Sequence, residues 1–323
     1  MLKLYNKEHV AIDTLTDTKD LKIEYVLSGE DLLEFSLSIS DEKINLLEEE
    51  GYIRTKDNEY VIKAIDPSDN FKRFSCNINV EALVGKAIAS FDTSNNNVND
   101  TIRLAIAGTG WILADNNITK RRTVRLTNTN ALEVLKEVRK VFRVDIRYDA
   151  INKIIYVYEQ FGEDRGVYFS DELNLKSFSI PSDTYDYATR LYPKGKDGLT
   201  IASINNGKEY IENFQYSNKV LELIWEDNRY TDVNSLKEDA EVKLDELSKP
   251  KRTYQASISD LAKQSEEYNF LDFFLGDTIT LLSKQEKFRD KQRIVKYIQY
   301  PDDPSQNSCE LGNTTLTFEE LQK

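Results

Sequence analysis

The chain has 323 residues, with 43 Lys or Arg against 56 Asp or Glu, so its formal net charge is −13. This acidity excludes a protein whose whole surface binds nucleic acid. With 40% hydrophobic residues, global disorder is also excluded. The length suggests two or three domains. No apolar run approaches the ~20 residues of a membrane helix, so we expect no membrane insertion.

The scarcity of histidine and cysteine limits the chemistry open to this chain. His9 is the only histidine, and Cys76 and Cys309 are the only cysteines. Zinc sites and Ser-His-Asp or Cys-His devices need such residues at defined spacings. No phosphate-binding glycine loop occurs either. We therefore predict no catalytic, cofactor-binding or metal-binding residues and no cofactor, with Cys76 in the core and His9 at the surface.

Two polar segments superficially resemble binding sites. Residues 92–98 resemble a calcium loop, but Asn97 replaces the glycine and Arg103 the final glutamate that such a loop needs. Residues 120–122 and Arg125 form a basic stretch without interleaved aromatics. We interpret it as a solvated strand edge.

The first ninety residues are predicted to form strands of an antiparallel barrel or sandwich. Apolar residues alternate over residues 33–40 and around Cys76, which gives one buried and one solvated face. Residues 60–65 form a further strand. The turn residues at 66–70 predict a hairpin between it and the strand around Cys76.

A small α/β module is predicted next. The asparagine-rich residues 91–99 suggest a boundary, after which Asp100 caps a short helix that ends at Gly108. Asn130 is the expected cap of a second helix. Its apolar stripe consists of Leu132, Leu135, Val138 and Phe142. Strands follow at residues 144–148 and 154–158.

Strands then return, interrupted by one long helix. Residues 188–192 and 199–201 are predicted strands that return to the first sheet. The helix begins at Thr231 or Asp232 and ends before Pro250. Further strands are expected at residues 278–282 and 293–300, with a last one that ends at residues 310–313.

Several segments resemble those of a known phage family. They are residues 188–201 with 210–213, 33–37, 129–145, 275–279 and 309–313. In order and spacing they resemble the prophage tail endopeptidase family, also called the tail-associated lysin N-terminal family, of siphophages and prophages of Gram-positive bacteria.

The resemblance implies a mixed α+β, mainly β fold like that of a baseplate hub. Two β-barrel-like hub domains then carry an inserted small α/β domain. We expect the first hub domain at residues 1–90 plus 176–225, the inserted domain at 91–175, and the second hub domain, with the long helix, at 226–323.

The resemblance also implies a structural role at the virion tail tip, after assembly in the bacterial cytoplasm. Three subunits would close a pseudo-sixfold ring at the distal end of the tail tube, beneath the distal tail protein. The ring would carry tail fibre or receptor-binding components. It would open for the tape measure protein and for DNA, which passes without specific binding.

Two alternatives to a structural hub stay open. One is a wall-degrading tail enzyme, a peptidoglycan endopeptidase or glycosidase, which would need a carboxylate pair about 5–9 Å apart in a cleft. The other is a carbohydrate-binding adhesion module, which would show a row of exposed aromatics. Trp111 and Trp225 are expected in the core, and no hydrolase motif occurs. We therefore predict that this chain is not an enzyme.

Overall fold

The computed structural model describes residues 1–179, 182–258, 260–284 and 287–312. The fold is mixed α+β and mainly β, as predicted. No helix among these residues has both the length and the apolarity to span a membrane.

The N-terminal sheet has seven strands in the order β2-β1-β5-β6-β7-β4-β3. The strands are β1 (Leu2–Tyr5), β2 (Ala11–Leu15), β3 (Lys19–Val26), β4 (Leu32–Ser38), β5 (Tyr52–Arg54), β6 (Glu59–Pro67) and β7 (Phe71–Ile78). Alternation in β4 buries Leu33, Phe35 and Leu37. The predicted β6–β7 hairpin is confirmed by its antiparallel register.

The α/β module follows the N-terminal sheet and packs three helices against short strands. Its elements are α1 (Glu81–Val84), β8 (Ala87–Asn97), α2 (Val98–Ile106), β9 (Ile112–Leu113), β10 (Arg121–Asn130), α3 (Ala131–Phe142), β11 (Asp145–Asp149) and β12 (Ile154–Tyr158). The predicted stripe of α3 is buried. The asparagine-rich boundary segment is instead strand β8, which forms a long ribbon with β10.

Asparagines cap both longer helices of this module. The Asn130 side chain accepts a hydrogen bond from the Glu133 amide at 2.9 Å, as the sequence predicts. In α2 the cap is Asn97, whose side chain accepts from the amide of Asp100 at 2.8 Å. The prediction of Asp100 as the cap was therefore wrong by three residues, because Asp100 lies in the first turn of α2, where its amide donates to the cap.

The second large sheet begins before, and resumes after, a small β/α module. Its first strands are β13 (Tyr168–Ser170), β14 (Leu175–Ser179) and β15 (Ser182–Asp183). The small module contains β16 (Arg190–Lys194), β17 (Ile211–Glu212), β18 (Glu222–Glu226) and α4 (Val233–Leu247). The sheet resumes with β19 (Lys251–Ile258), β20 (Thr278–Ser283), β21 (Phe288–Gln299) and β22 (Ser308–Gly312). Asn313, the end of the predicted last strand, lies outside the described residues.

These pairings group the chain differently from the expected boundaries. Strand β16 pairs with β17 and β18 in a sheet of its own and does not return to the N-terminal sheet. Residues 190–247 thus form a second inserted module. The predicted cap Asp232 is confirmed, since its side chain accepts from the Ser235 amide at 2.8 Å, and α4 ends before Pro250.

The two large sheets share one strand order. In the N-terminal sheet the order is β1-β5-β6-β7-β4-β3, and in the second sheet it is β13-β20-β21-β22-β19-β14. A 3-10 turn occurs at the same point in each sheet: Glu42–Leu46 precedes β5, and Glu266–Leu271 precedes the equivalent strand β20. Four of the five pairings in this order are antiparallel in both sheets. The first pairing differs, because β1 is antiparallel to β5 whereas β13 is parallel to β20. The chain therefore repeats one strand order twice, without a detectable sequence repeat.

Local irregularities are repeated with the topology. The register of β6 against β7 shifts between Ile62 and Ala64, and that of β21 against β22 shifts between Ile294 and Lys296. Ile62 donates to and accepts from residues 50–51, both at 2.9 Å. Ile294 makes the same two bonds with residues 276–277, at 2.9 and 2.8 Å. A β-bulge retained in both copies is a specific feature of the repeat.

Candidate assembly site at the junction of the two sheets

Strand β21 belongs to both large sheets. Its first half pairs with β20 and its last four residues pair antiparallel with β3, with Tyr297 opposite Tyr25. The two tyrosine rings stack at 6.1 Å, and Lys296 Nζ lies 2.5 Å from Glu24. The β3–β21 pairing makes one continuous sheet of the two repeats.

A buried ion pair fixes the α/β module against the N-terminal sheet. Arg147 in β11 donates to both carboxylate oxygens of Asp31, at 2.9 and 3.2 Å, and to the Val26 carbonyl at 3.0 Å. Burial disfavours the charge on Arg147, but the Asp31 carboxylate more than offsets this and raises the pKa of Arg147. Arg147 therefore stays charged and aligned with Asp31.

A second buried pair joins the two large sheets and the α/β module. Arg293 of β21 donates to the Asp145 carboxylate of β11 and, at 3.0 Å, to the Gly276 carbonyl. Asp145 also accepts from the Ser28 hydroxyl at 3.2 Å and from the Phe161 amide at 2.8 Å. Both charged side chains are almost fully buried. Such a pair requires these partners in place, because an unpaired buried charge is costly.

Two glycines cross at this junction. Gly162 and Gly276 have φ of +88° and +87°, a region that L side chains rarely adopt. A Cβ on Gly162 would lie 2.2 Å from the Gly276 carbonyl carbon, and a Cβ on Gly276 would lie 2.6 Å from the Phe161 carbonyl oxygen. No larger residue fits either position without a backbone shift.

Asp239 ties the second inserted module to the first. It is buried on α4, and its carboxylate accepts from Arg122 of β10 at 3.1 Å and from the Tyr230 hydroxyl at 2.7 Å. The Asp239 carbonyl accepts from Arg143 at 3.2 Å. Burial, together with the nearby carboxylate, raises the pKa of Tyr230. One face of α4 thus contacts β16 and the other contacts the α/β module.

The basic stretch is therefore only partly a solvated edge. Arg121 is exposed, whereas Arg122 is 12% exposed and holds Asp239. Arg125 pairs with Asp92 at 3.1 Å across the β8–β10 ribbon. Residues 92–97 are extended in β8 and Val98 begins α2, so this segment does not form a calcium-binding loop. The described ranges contain no cluster of three or more metal-ligating side chains.

His9 packs at the surface of the N-terminal sheet. It has φ of +62°, stacks on Tyr52 at 4.1 Å and lies 3.0 Å from the Glu59 carboxylate. Burial would raise the pKa of Glu59, but hydrogen bonds from Asn79, Arg54 and His9 outweigh it and lower that pKa. This is a structural network around a buried carboxylate.

Both cysteines lie in the core, at 1% and 3% exposure. Burial raises the pKa of the Cys76 thiol and of the Cys309 thiol, so neither is a reactive thiolate near neutral pH.

Exposed aromatic and apolar residues concentrate in the second inserted module. Trp111 is buried, while the half-buried Trp225 packs on Tyr230. Exposed apolar side chains lie on and beside β18: Val220, Leu221, Leu223 and Ile224. Tyr185 and Tyr216 are also exposed. Exposed apolar side chains on an edge strand such as β18 are typical of a contact surface.

The ion pairs at the junction could not be identified from the sequence. Asp31, Asp145 and Asp239 are three of 56 acidic residues, and their partners lie 116, 148 and 117 positions away. Their only local signal is an acid within or beside an otherwise apolar segment, as at Asp145 between Val144 and Ile146.

Comparison with known proteins places nearly every residue in one family. Models of the prophage endopeptidase tail match in three parts: the N-terminal domain at residues 2–82, a further domain at 88–157 and the tail domain at 163–322. A curated relative, the SPbeta prophage-derived uncharacterized protein YomG of Bacillus subtilis, is 31% identical over 100 residues. That match spans 30% of this chain and 11% of the relative's length.

Solved structures share the whole fold at low sequence identity. Prophage tail protein gp18 from Listeria monocytogenes has a TM-score of 0.68 at 17% identity, covering 99% of this chain and 97% of that one. The 43 kDa tail protein of prophage MuSo2 from Shewanella oneidensis has a TM-score of 0.69 at 10% identity, covering 96% and 97%. The fold and the family models agree, and the chain belongs to the prophage endopeptidase tail family of phage tail proteins.

Proposed function

We propose that this protein is a structural hub of the tail tip that assembles as a homotrimer and closes the distal end of the tail tube. The observation that carries the proposal is the duplicated sheet joined through β21. Two equivalent units per chain give six around a threefold axis, which suits a tube of sixfold symmetry. Head-to-tail contacts that close in this way form a ring.

Within such a ring, the distal tail protein, the tape measure protein and a fibre or receptor-binding protein are the proposed neighbours. The junction residues supply the rigidity that a ring needs, because buried pairs tie the α/β module to both sheets and the second inserted module to the α/β module. The exposed apolar strand β18 supplies surface for contacts with other tail components. DNA would pass through the ring without sequence-specific contacts.

We further propose that the chain does not hydrolyse cell wall. The carboxylates that the structure buries are engaged by arginines, tyrosine or backbone amides. Two surface depressions are each lined by two acids, Glu212 with Glu241 and Asp20 with Asp66. In the first of them Glu212 is held by Arg190 at 2.6 Å. Because Arg190 occupies the Glu212 carboxylate, Glu212 and Glu241 do not form the acid–base pair that hydrolysis needs.

Light scattering over a concentration series tests the trimer. We expect a species near 112 kDa, three times the 37.4 kDa of one chain. A stable dimer, or the mass of one chain at every concentration, would contradict a ring that closes through this chain alone.

A further inference from the structure

We propose that, in the trimer, the outer half of β6 in one copy pairs antiparallel with β15 of the next copy. This contact would reproduce between chains the β21–β3 pairing found within each chain. The inference rests on the proposed homotrimer and specifies its interface. It follows from three observations on the repeated sheets.

The first observation is the equivalence of β6 and β21. Their bulges follow Ile62 and Ile294, and these two isoleucines make the same pair of backbone bonds. Counting on from the bulge, Ala64 corresponds to Lys296 and Ile65 to Tyr297. In β21, Lys296 pairs with Val26 of β3 and Tyr297 pairs with Tyr25 of β3.

The second observation is the equivalence of β3 and the β14–β15 edge. Leu33 in β4 and Tyr254 in β19 occupy matching positions, opposite Cys76 and Leu311. Glu24 pairs with Leu32 of β4, one residue before the reference position Leu33. Ser182 pairs with Arg252 of β19, two residues before the reference position Tyr254. Ser182 therefore corresponds to Tyr25, and Asp183, which pairs with Lys251, corresponds to Val26.

The third observation is that neither edge has a further partner strand among the residues that the structure describes. Among the described strands, β5 pairs only with residues 59–61 of β6, so the outward side of residues 63–67 has no partner strand. Within the described part of the chain, strand β15 pairs with β19 alone. Lys63, Ala64 and Ser182 are exposed. Pro67 lacks the N–H that would point outward, as at an edge position, so the contact uses fewer hydrogen bonds than the one within the chain.

A second copy of this chain is the occupant that the geometry favours. Each copy has one unpaired edge at β6 and one at β15, the equivalent of β3. Every contact between copies therefore pairs the β6 edge of one copy with the β15 edge of another. Three copies satisfy all such edges in a closed head-to-tail ring. An isologous dimer of like edges would not repeat the pairing seen within the chain.

Engineered disulfides test the register. Ala64 and Asp183 are predicted to face each other across neighbouring chains as a non-hydrogen-bonded pair, about 4.5 Å apart at Cα, which is within disulfide range. In the full-length double variant A64C/D183C, diamide oxidation should give a covalent trimer. Each single variant alone should give none, and a mixture of the two single variants should give a covalent dimer.

Two controls frame the result. The double variant V26C/K296C probes the equivalent pair within one chain and should form an intrachain disulfide. The wild type, with its buried Cys76 and Cys309, should give no cross-link. The mass of the wild type is measured in parallel by light scattering.

The outcomes separate this interface from the trimer itself. A wild-type trimer together with no A64C/D183C cross-link, while V26C/K296C closes, would overturn the pairing and leave the proposed trimer standing. A monomer or a stable dimer at every concentration, without cross-linking, would overturn both. Cross-linking of A64C to itself would replace the head-to-tail contact with a like-edge contact and refute the proposal.

Discussion

Arg293 and Asp145 form a buried ion pair between the second sheet and the α/β module, with Arg293 7% and Asp145 1% exposed as side chains. Their backbones are 148 residues apart in sequence, and the pair also engages Ser28 of the N-terminal repeat through Asp145. One contact therefore reports on the docking of three parts of the molecule.

Removal of Arg293 should destabilise the protein strongly. Arg293→Met leaves Asp145 buried without its counter-charge, which costs about 3–5 kcal/mol. The matched control is Lys291→Met on the same strand, whose pair with Asp164 is solvent-exposed and contributes less than about 1 kcal/mol. Thermal unfolding measures both. Equal losses for the two variants would contradict the buried junction.

The glycine crossing gives a second prediction. Gly162→Ala should lower stability far more than Gly166→Ala, although both glycines have positive φ. At Gly166 no atom lies within 4 Å of the added Cβ, so only the backbone cost of about 1–2 kcal/mol applies. At Gly162 the Cβ meets the Gly276 backbone. Denaturant midpoints for the two variants compare these costs directly, and similar values would refute the close approach.

Asp239 should anchor α4 through charge. Asp239→Asn weakens the contacts to Arg122 and Arg143 and should cost about 3 kcal/mol, because both arginines then lose their buried partner. Glu238→Gln, one residue earlier and 67% exposed, should cost less than about 1 kcal/mol. Limited proteolysis adds a readout of docking: only the Asp239 variant should be cleaved faster between the two inserted modules.

Glu59 should make stability depend on pH in acid. Its pKa is lowered in the folded state, so its contribution is present above the unfolded value of about 4.5 and is lost as the pH falls through the folded value. Between pH 5 and pH 3 the melting temperature of wild type should fall more steeply than that of Glu59→Gln. The exposed Glu8→Gln should follow wild type. Parallel curves for all three proteins would show that Glu59 is not responsible.

Cell-wall hydrolysis should be absent. Purified peptidoglycan incubated with the protein should release muropeptides at the rate of a buffer control, as measured by chromatography. Release above that rate would contradict the structural proposal. If it then disappeared in Glu241→Gln but not in the buried-core variant Cys76→Ser, the surface depression of Glu212 and Glu241 would become the active site.

Local patterns predicted the elements well, and long-range pairing explains what they missed. The stripe of α3, the cap Asn130, the cap Asp232 and the β6–β7 hairpin depend on residues within a few positions of each other. The sequence pattern predicts β16 in the first sheet, whereas β16 pairs with β17 and β18. Alternation of apolar and polar residues identifies a strand but does not identify the strand with which it pairs. The partner is decided by contacts such as Ala188 N–H with the Leu247 carbonyl, 59 residues away.

The duplication was invisible in the sequence for a related reason. The bulge at Ile62 and that at Ile294 are backbone features, which many side chains allow. Their flanking residues differ, with Ala64 and Ile65 in one repeat and Lys296 and Tyr297 in the other. Because the strand order is the same in both repeats but the side chains differ, the two repeats share no sequence pattern that would reveal the duplication.

The sharing of β21 by both sheets has a mechanical consequence. A force that separates the two repeats of one chain must shear the β21–β3 ladder along its length, and it must also break the Tyr25–Tyr297 stack and the Lys296–Glu24 pair. Such a load is spread over several backbone hydrogen bonds at once. Each chain therefore transmits load as a single stiff unit, and a ring built from such chains would yield first at the contacts between them.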